Sequence, residues 1–203
     1  MIKRSSKKFI TENLLANPSW NILDIGCGYN ANKLASVICD VQDLSDYYTD
    51  KKFIKLIDKK LPFGDNEFDF VIASHVMEHV EDVDFFIKEL ERVSKKGYIE
   101  LPTMLEDNLV FENKKDHLWH MDFDDVENRL LISKKIQYFE PIITVSSAKK
   151  FYEIFRKSLV LELLWEDSID YKIDKSTVNI LNRISILNLL KKYFSKRLRM
   201  IFK

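Results

Sequence analysis

Two glycines one residue apart follow an acid at the end of a short apolar run, in Asn21-Ile22-Leu23-Asp24-Ile25-Gly26-Cys27-Gly28. Glycine has no Cβ, so a ligand can approach the backbone with no side chain between. In an open parallel sheet such a turn borders the ligand crevice at the carboxyl ends of the strands. Twelve residues after Gly28, Asp40 closes a second apolar run, where its carboxylate can accept both hydroxyls of a ribose. Cys27 lies inside the turn and reads as a small filler rather than a nucleophile.

Histidines supply the second set. His75-Val76-Met77-Glu78-His79 has the H-x-x-E-H spacing of inverted zinc peptidases. It stands directly after an apolar strand and no third ligand is evident, so no metal is expected. His75 reads as an active-site wall or base, and His79 as a surface or packing residue. His117-Leu118-Trp119-His120 follows the fifth apolar run. Either histidine could position or deprotonate an acceptor hydroxyl, because imidazole titrates near neutral pH. Alternatively Trp119 packs and both histidines are solvated. Glu100 and Glu106 fall near the expected crevice.

The elements that must position these residues alternate. Buried strands are expected at 21–25, 35–41, 52–57, 68–74 and 97–101, from short apolar runs bounded by turn residues. A helix over 82–93 has apolar residues at 83, 85, 86, 90 and 93, with Asp82 as its cap and Gly97 as its stop. An earlier helix over 7–16 turns Phe9, Leu14 and Leu15 inward. Strands alternating with helices imply a mostly parallel α/β sheet. Beyond Pro102 come an acidic loop region, candidate strands at 129–132 and 135–138, a helix over 147–155 and a strand pair within 160–173.

The chain has 203 residues, with 32 basic and 32 acidic residues and 46% hydrophobic content. That composition is globular. Four Gly and four Pro exclude collagen-like and Pro/Gly-rich low-complexity readings. Two cysteines, Cys27 and Cys39, are too few for a disulfide framework, which suits a reduced, cytoplasmic protein. The zero net charge is unevenly spread. Residues 176–203 hold seven basic residues and no acid, so residues 1–175 carry −7. The division is therefore a domain at 1–175 and a basic, amphipathic, helical tail at 176–203. Such a tail suits peripheral contact with an anionic membrane, packing on the acidic body, or homo-oligomer formation. Nucleic acid is not an expected partner, because the body would repel phosphate.

NILDIGCGYN, VICD and LIDKKLPFGDNEFDFVIASHVMEHV resemble the first four motifs of the class I S-adenosylmethionine-dependent methyltransferases, in the subgroup similar to methyltransferase type 11. KKGYIELPT, HLWHMDF and LLWEDSIDYKI are similar to small bacterial methyltransferases of surface-polysaccharide loci. The resemblance implies a Rossmann-like sheet and S-adenosylmethionine as cofactor. It places Gly26, Cys27 and Gly28 against the methionine part, Asp24 at the loop and amino group, and Asp40 on the ribose. It places Asp58 at the adenine amino group, and Ser74 and His75 toward the sulfonium and the acceptor. The implied function is methylation, on oxygen rather than nitrogen, of a small-molecule or glycan-type acceptor, with His75 or His117 as base. Two features depart from the family pattern. Tyr29-Asn30 replaces the usual third small residue, and the first crossover is too short for a full helix. They motivate an alternative, a non-catalytic module recruited by its tail. A nucleotide-binding oxidoreductase is disfavoured because G-x-G-x-x-G is incomplete, with Ala31 where the last glycine belongs.

Overall fold

In the computed structural model, residues 1–174, 176 and 184–201 are described. Seven strands form the main sheet: β1 (Ile2–Arg4), β2 (Ile22–Ile25), β3 (Val37–Asp40), β4 (Lys52–Lys55), β5 (Phe70–Ser74), β6 (Lys96–Pro102) and β9 (Val160–Glu166). Their order is β4-β3-β2-β5-β6-β9-β1. The strands from β4 to β6 are parallel, while β9 runs antiparallel to both β6 and β1. The order reverses between β2 and β5, so the crevice for a ligand opens at their carboxyl ends.

Alternation along the strands fills two cores. Leu23 and Ile25 face one side with Val71, Ala73 and Ile99, and α2 (Val83–Val93) covers them with Phe86, Ile87, Leu90 and Val93. Ile22 faces the other side with Ile38, Phe70 and Ile72, covered by Ile10 and Leu14 of α1 (Lys7–Ala16). Phe9 and Leu15 are exposed instead of inward, because the buried stripe of α1 is the pair four residues apart, Ile10 and Leu14. Asp82 caps α2 as expected, accepting a hydrogen bond from the Phe85 amide. The helix stops at Ser94 rather than at Gly97. Gly97 lies within β6, where a Cβ would meet Trp165 Nε1 and Val71 Cγ1 at 2.6 Å. It is a close-approach glycine between neighbouring strands.

The first crossover, residues 29–36, contains turns and no helix, as its length dictates. Residues 41–51 likewise contain only turns. Tyr48 takes over the bracing that a helix would supply. Its hydroxyl donates to the Gly28 carbonyl at 2.8 Å and accepts from the Ala31 amide at 3.0 Å.

Downstream of Pro102 the expectations need more correction. The acidic stretch is not a solvated loop. It forms α3 (Met104–Leu109), α4 (Asn113–Asp116) and β7 (Trp119–Asp124). Glu106 and Asp107 are buried within it. A small sheet, β10-β8-β7, contains β8 (Arg129–Lys134) and β10 (Tyr171–Asp174). No strand spans 135–138, and β9 and β10 join different sheets instead of pairing. The helix expected over 147–155 is the longer α5 (Val145–Leu159), interrupted at Phe155. The tail contains α6 (Ile186–Ile201), of which no residue is buried, and just before it the Ile184 amide donates to the Tyr138 carbonyl of the body at 2.7 Å. The boundary placed at 175/176 and the start of the tail at 177–183 lie outside the described residues, as do residues 202 and 203.

Candidate active site

The strand ends build a cleft of about 450 Å³ lined by Gly26, Asp40, Leu56, Asp58, His75 and Phe85, among others. That volume suits a nucleoside-sized ligand. Gly26 has φ +64°, and a Cβ there would lie 2.4 Å from Val76 Cγ2. Gly28 has φ +49°, with open space where its Cβ would stand. Both glycines occupy backbone that other residues rarely adopt, and Gly28 leaves the space beside it clear. A cradle of this kind fits a ligand that lies against main chain.

Asp40 closes the loop. One carboxylate oxygen accepts from the Gly28 amide and the other from the Gln42 amide, each at 2.9 Å. An ionised carboxylate has about four lone-pair directions, so two remain for a ligand diol. Asp24 is buried behind the loop and accepts from the Asn32 amide at 2.7 Å. Burial pushes its carboxyl up to about 6, against the Asn32 bond that pulls it down. Its place is under the loop rather than in the cleft lining. Cys27 is a buried core residue, and burial raises its thiol to about 12, so it is protonated and packs as the filler expected of it. Asp58 is exposed on the cleft wall. Ser74, half-buried at the end of β5, pairs in register with Glu100.

His75 leaves β5 with φ +55°, a strained conformation for a residue with a Cβ. Its amide donates to the Glu100 carbonyl at 2.8 Å, extending the ladder by one bond. The ring stands between two carboxylates, with Nδ1 3.3 Å from Glu78 Oε1 and Nε2 3.4 Å from Glu100 Oε1. Burial opposes the positive charge, but Glu100 and Glu78 outweigh it and hold the imidazole up at about 10. His75 therefore carries its proton at neutral pH. His75 lies on the cleft wall.

Glu100 anchors a buried network. Burial favours its neutral form, but His75, Lys7, Arg156 and Tyr98 together hold its carboxyl well below the usual range. Arg156 Nη2 lies 2.8 Å from Glu100 and 3.1 Å from Glu162.

A second pocket of about 330 Å³ shares His75 and His79 with the cleft and adds Glu106, Glu112, Asp116, His117 and Tyr152. His117 is buried, and its Nδ1–H donates to Asp107 at 2.5 Å. His120 Nδ1 donates to the other Asp107 oxygen at 3.0 Å, while its Nε2 meets the Ile136 backbone. Asp107 thus fixes both rings, and the two histidines hold its carboxyl below the usual range against its burial. The structure sets His117 at the pocket and seals His120 behind it. Main-chain bonds place this segment: the Leu118 amide donates to Glu78 O at 2.7 Å, and Trp119 Nε1 donates to Val80 O at 2.7 Å. The solvated-histidine alternative does not hold, whereas Trp119 does pack.

Sequence reasoning missed Asp107, Tyr48 and Tyr152. Tyr152 donates to Glu106 across the second pocket. For Tyr48, the aromatic pair Tyr47-Tyr48 in a crossover too short for a helix was a usable signal. For Asp107 no local signal exists, because its partners lie 10 and 13 residues away in other elements.

A family model described as a methyltransferase domain matches residues 23–99, which span β2 to most of β6. Among solved structures, the chain is similar to the PH0226 protein from Pyrococcus horikoshii OT3, at 15% identity over 80% of this chain and 92% of that one, with a TM-score of 0.45. It is also similar to a SAM-dependent methyltransferase from Aquifex aeolicus, at 14% identity over 78% and 87%, with a TM-score of 0.43. A SAM-dependent methyltransferase from Archaeoglobus fulgidus gives 13% identity over 80% and 95%, with a TM-score of 0.44. None of the curated proteins matches the sequence.

Proposed function

We propose, from the match of residues 23–99 to a methyltransferase domain model, that the protein transfers a methyl group from S-adenosylmethionine to a hydroxyl of a small-molecule or glycan-type acceptor. The observation that carries the reading is the family's glycine turn and acid forming one cleft at the switch in strand order, with the second pocket adjoining it through His75 and His79. The reading as a non-catalytic module is not favoured by it.

When bound, S-adenosylmethionine supplies a methyl group on an already electrophilic sulfonium. The protein has chiefly to orient the acceptor and exclude water. Gly26, Cys27 and Gly28 offer main chain to the methionine part, held from below by Asp24. Asp40 takes the ribose hydroxyls on its remaining lone pairs, and Asp58 the adenine amino group. Two carboxylates surround the single charge of His75, which keeps that wall hospitable to a cationic ligand. Glu106, Glu112 and Asp116 give the second pocket an acceptor-rich lining that suits a polyhydroxylated molecule and repels an anionic one. His117, oriented by Asp107, is the group through which the acceptor hydroxyl gives up its proton. The basic helix α6 holds the enzyme at an anionic membrane face.

Calorimetry with S-adenosylmethionine and S-adenosylhomocysteine tests the proposal. We expect micromolar binding of both, weakened about tenfold or more in Asp40→Ala, where two ribose hydrogen bonds to a charged group are lost. No binding by folded wild-type protein overturns the function. Unchanged affinity in the variant removes only the ribose assignment.

A further inference from the structure

Glu78 is fully buried, yet neither of its carboxylate oxygens has a hydrogen bond. His75 Nδ1, 3.3 Å from Oε1, accounts for one oxygen as an ion pair. Oε2 has no partner among the described residues. A buried carboxylate oxygen left bare costs more than an ordinary hydrogen bond returns, and such an atom calls for an explanation.

Two imidazoles meet this carboxylate. One ligand atom from each of Glu78, His79 and His117 lies within 4.8 Å of the other two. Both rings are committed on their Nδ1 side. His79 Nδ1 donates to the Asp116 carbonyl at 2.9 Å, and His117 Nδ1 donates to the Asp107 carboxylate at 2.5 Å. Each bond fixes the tautomer that leaves Nε2 with its lone pair free. A backbone carbonyl or carboxylate behind each ring is the arrangement that orients metal-ligating histidines. His79 is exposed beside the second pocket, which gives an ion a route in.

We propose that Glu78, His79 and His117 bind one divalent first-row transition ion of the Zn²⁺ type at the floor of the second pocket, with open coordination positions facing the acceptor. Two imidazoles and one carboxylate suit such an ion and not Mg²⁺, which takes oxygen ligands. A tetrahedral Zn²⁺ with bonds near 2.1 Å holds its ligand atoms roughly 3.4 Å apart, so the three groups need to close by about an ångström or less each. The third ligand, His117, comes from outside the H-x-x-E-H run, which is why the run alone gives no metal site. Ion binding does not depend on methyl transfer. The ion's role does rest on that reading: an acceptor hydroxyl coordinated in an open position is acidified and loses its proton to water at the pocket mouth. His117 then serves as a ligand rather than as a free base.

The test uses the full chain, stripped with a chelator and desalted, in the absence of S-adenosylmethionine. Titration with Zn²⁺ by calorimetry should give one ion per chain, and Co²⁺ should develop visible absorption of a four- or five-coordinate centre. Excess Mg²⁺ should not displace either. His79→Ala removes an exposed side chain and leaves the fold intact, and Glu78→Gln keeps the shape of a buried one. Each should weaken Zn²⁺ binding by about tenfold or more, and Asp107→Asn should do so by 10- to 100-fold through the orientation of His117. Failure to bind a stoichiometric ion, or undiminished affinity in both His79→Ala and Glu78→Gln, overturns the site. S-adenosylmethionine calorimetry on the same stripped protein reads the methyltransferase proposal separately, since cofactor binding stands whether or not the ion does.

Discussion

A methyl group at Gly26 would lie 2.4 Å from Val76 Cγ2, on a backbone already at φ +64°. Gly26→Ala therefore forces the loop or the segment after β5 to move. We expect a loss of about 1–3 kcal/mol in urea denaturation, together with weaker S-adenosylmethionine binding by calorimetry. Asp24 makes the opposite prediction for stability. Its carboxyl rises from 3.8 to about 6 on folding, mainly through burial. A raised acid pKa means that the folded state prefers the proton. The associated stability is complete below 3.8 and is lost as pH rises through 6, a span worth about 3 kcal/mol. Asp24→Asn cannot ionise and keeps an oxygen for the Asn32 amide. Relative to wild type, the variant should gain stability as pH rises from 4 to 7. Urea midpoints at several pH values check this, and a difference that does not change with pH would count against a buried, proton-preferring Asp24.

At the scale of elements, the main sheet depends on a strand three residues long. Ile2 of β1 is fully buried and pairs with Trp165 of β9. Ile2→Ala should cost about 2–4 kcal/mol, read as a lowered urea midpoint. Removing residues 1–5 should also expose the β9 edge and promote aggregation, seen by light scattering. β1 was not legible because three residues carry no periodicity. β2, β3, β5 and β6 were legible, because each is a mostly apolar run buried on both faces and bounded by turns, whereas the edge strand β4 offers only half-buried Phe53 and Ile54 between two exposed lysines. β7 had a readable pattern that its charge concealed: Met121 and Phe123 are buried, while Asp122 and Asp124 between and after them face outward. Acidic composition suggested a loop where period-2 alternation marked a strand. The site divides in the same way. Gly26, Gly28, Asp40 and Asp58 lie in local motifs at strand ends and could be named in advance. The pairing of Glu78 and His79 with His117, and of His117 with Asp107, arises only from tertiary packing.

The whole molecule separates an acidic body from a basic helix. Leu187, Leu190, Phe194, Leu198 and Ile201 of α6 are exposed, alongside Lys191, Lys192, Lys196, Arg197 and Arg199. No helix among the described residues is long and apolar enough to cross a membrane. An amphipathic helix of this kind can lie in a headgroup layer, each basic residue near an anionic surface contributing about 1 kcal/mol. The protein should sediment with vesicles containing phosphatidylserine and not with neutral ones, and raised salt should weaken the attachment. Equal sedimentation with both, or with neither, would remove the membrane assignment.

The antiparallel position of β9 sets an order of events during synthesis. β6 has seven residues and borders β5 on one side only until β9 arrives. β9 is made some sixty residues later, and β1 must wait for the same strand across 163 residues between Ile2 and Trp165. At 5–20 residues per second that second wait lasts roughly 8 to 33 s. Throughout it the nascent chain presents an unattached leading strand, and over its last third an unpaired hydrophobic edge of β6 as well. A slow stretch of translation just before residues 160–166 lengthens that exposure.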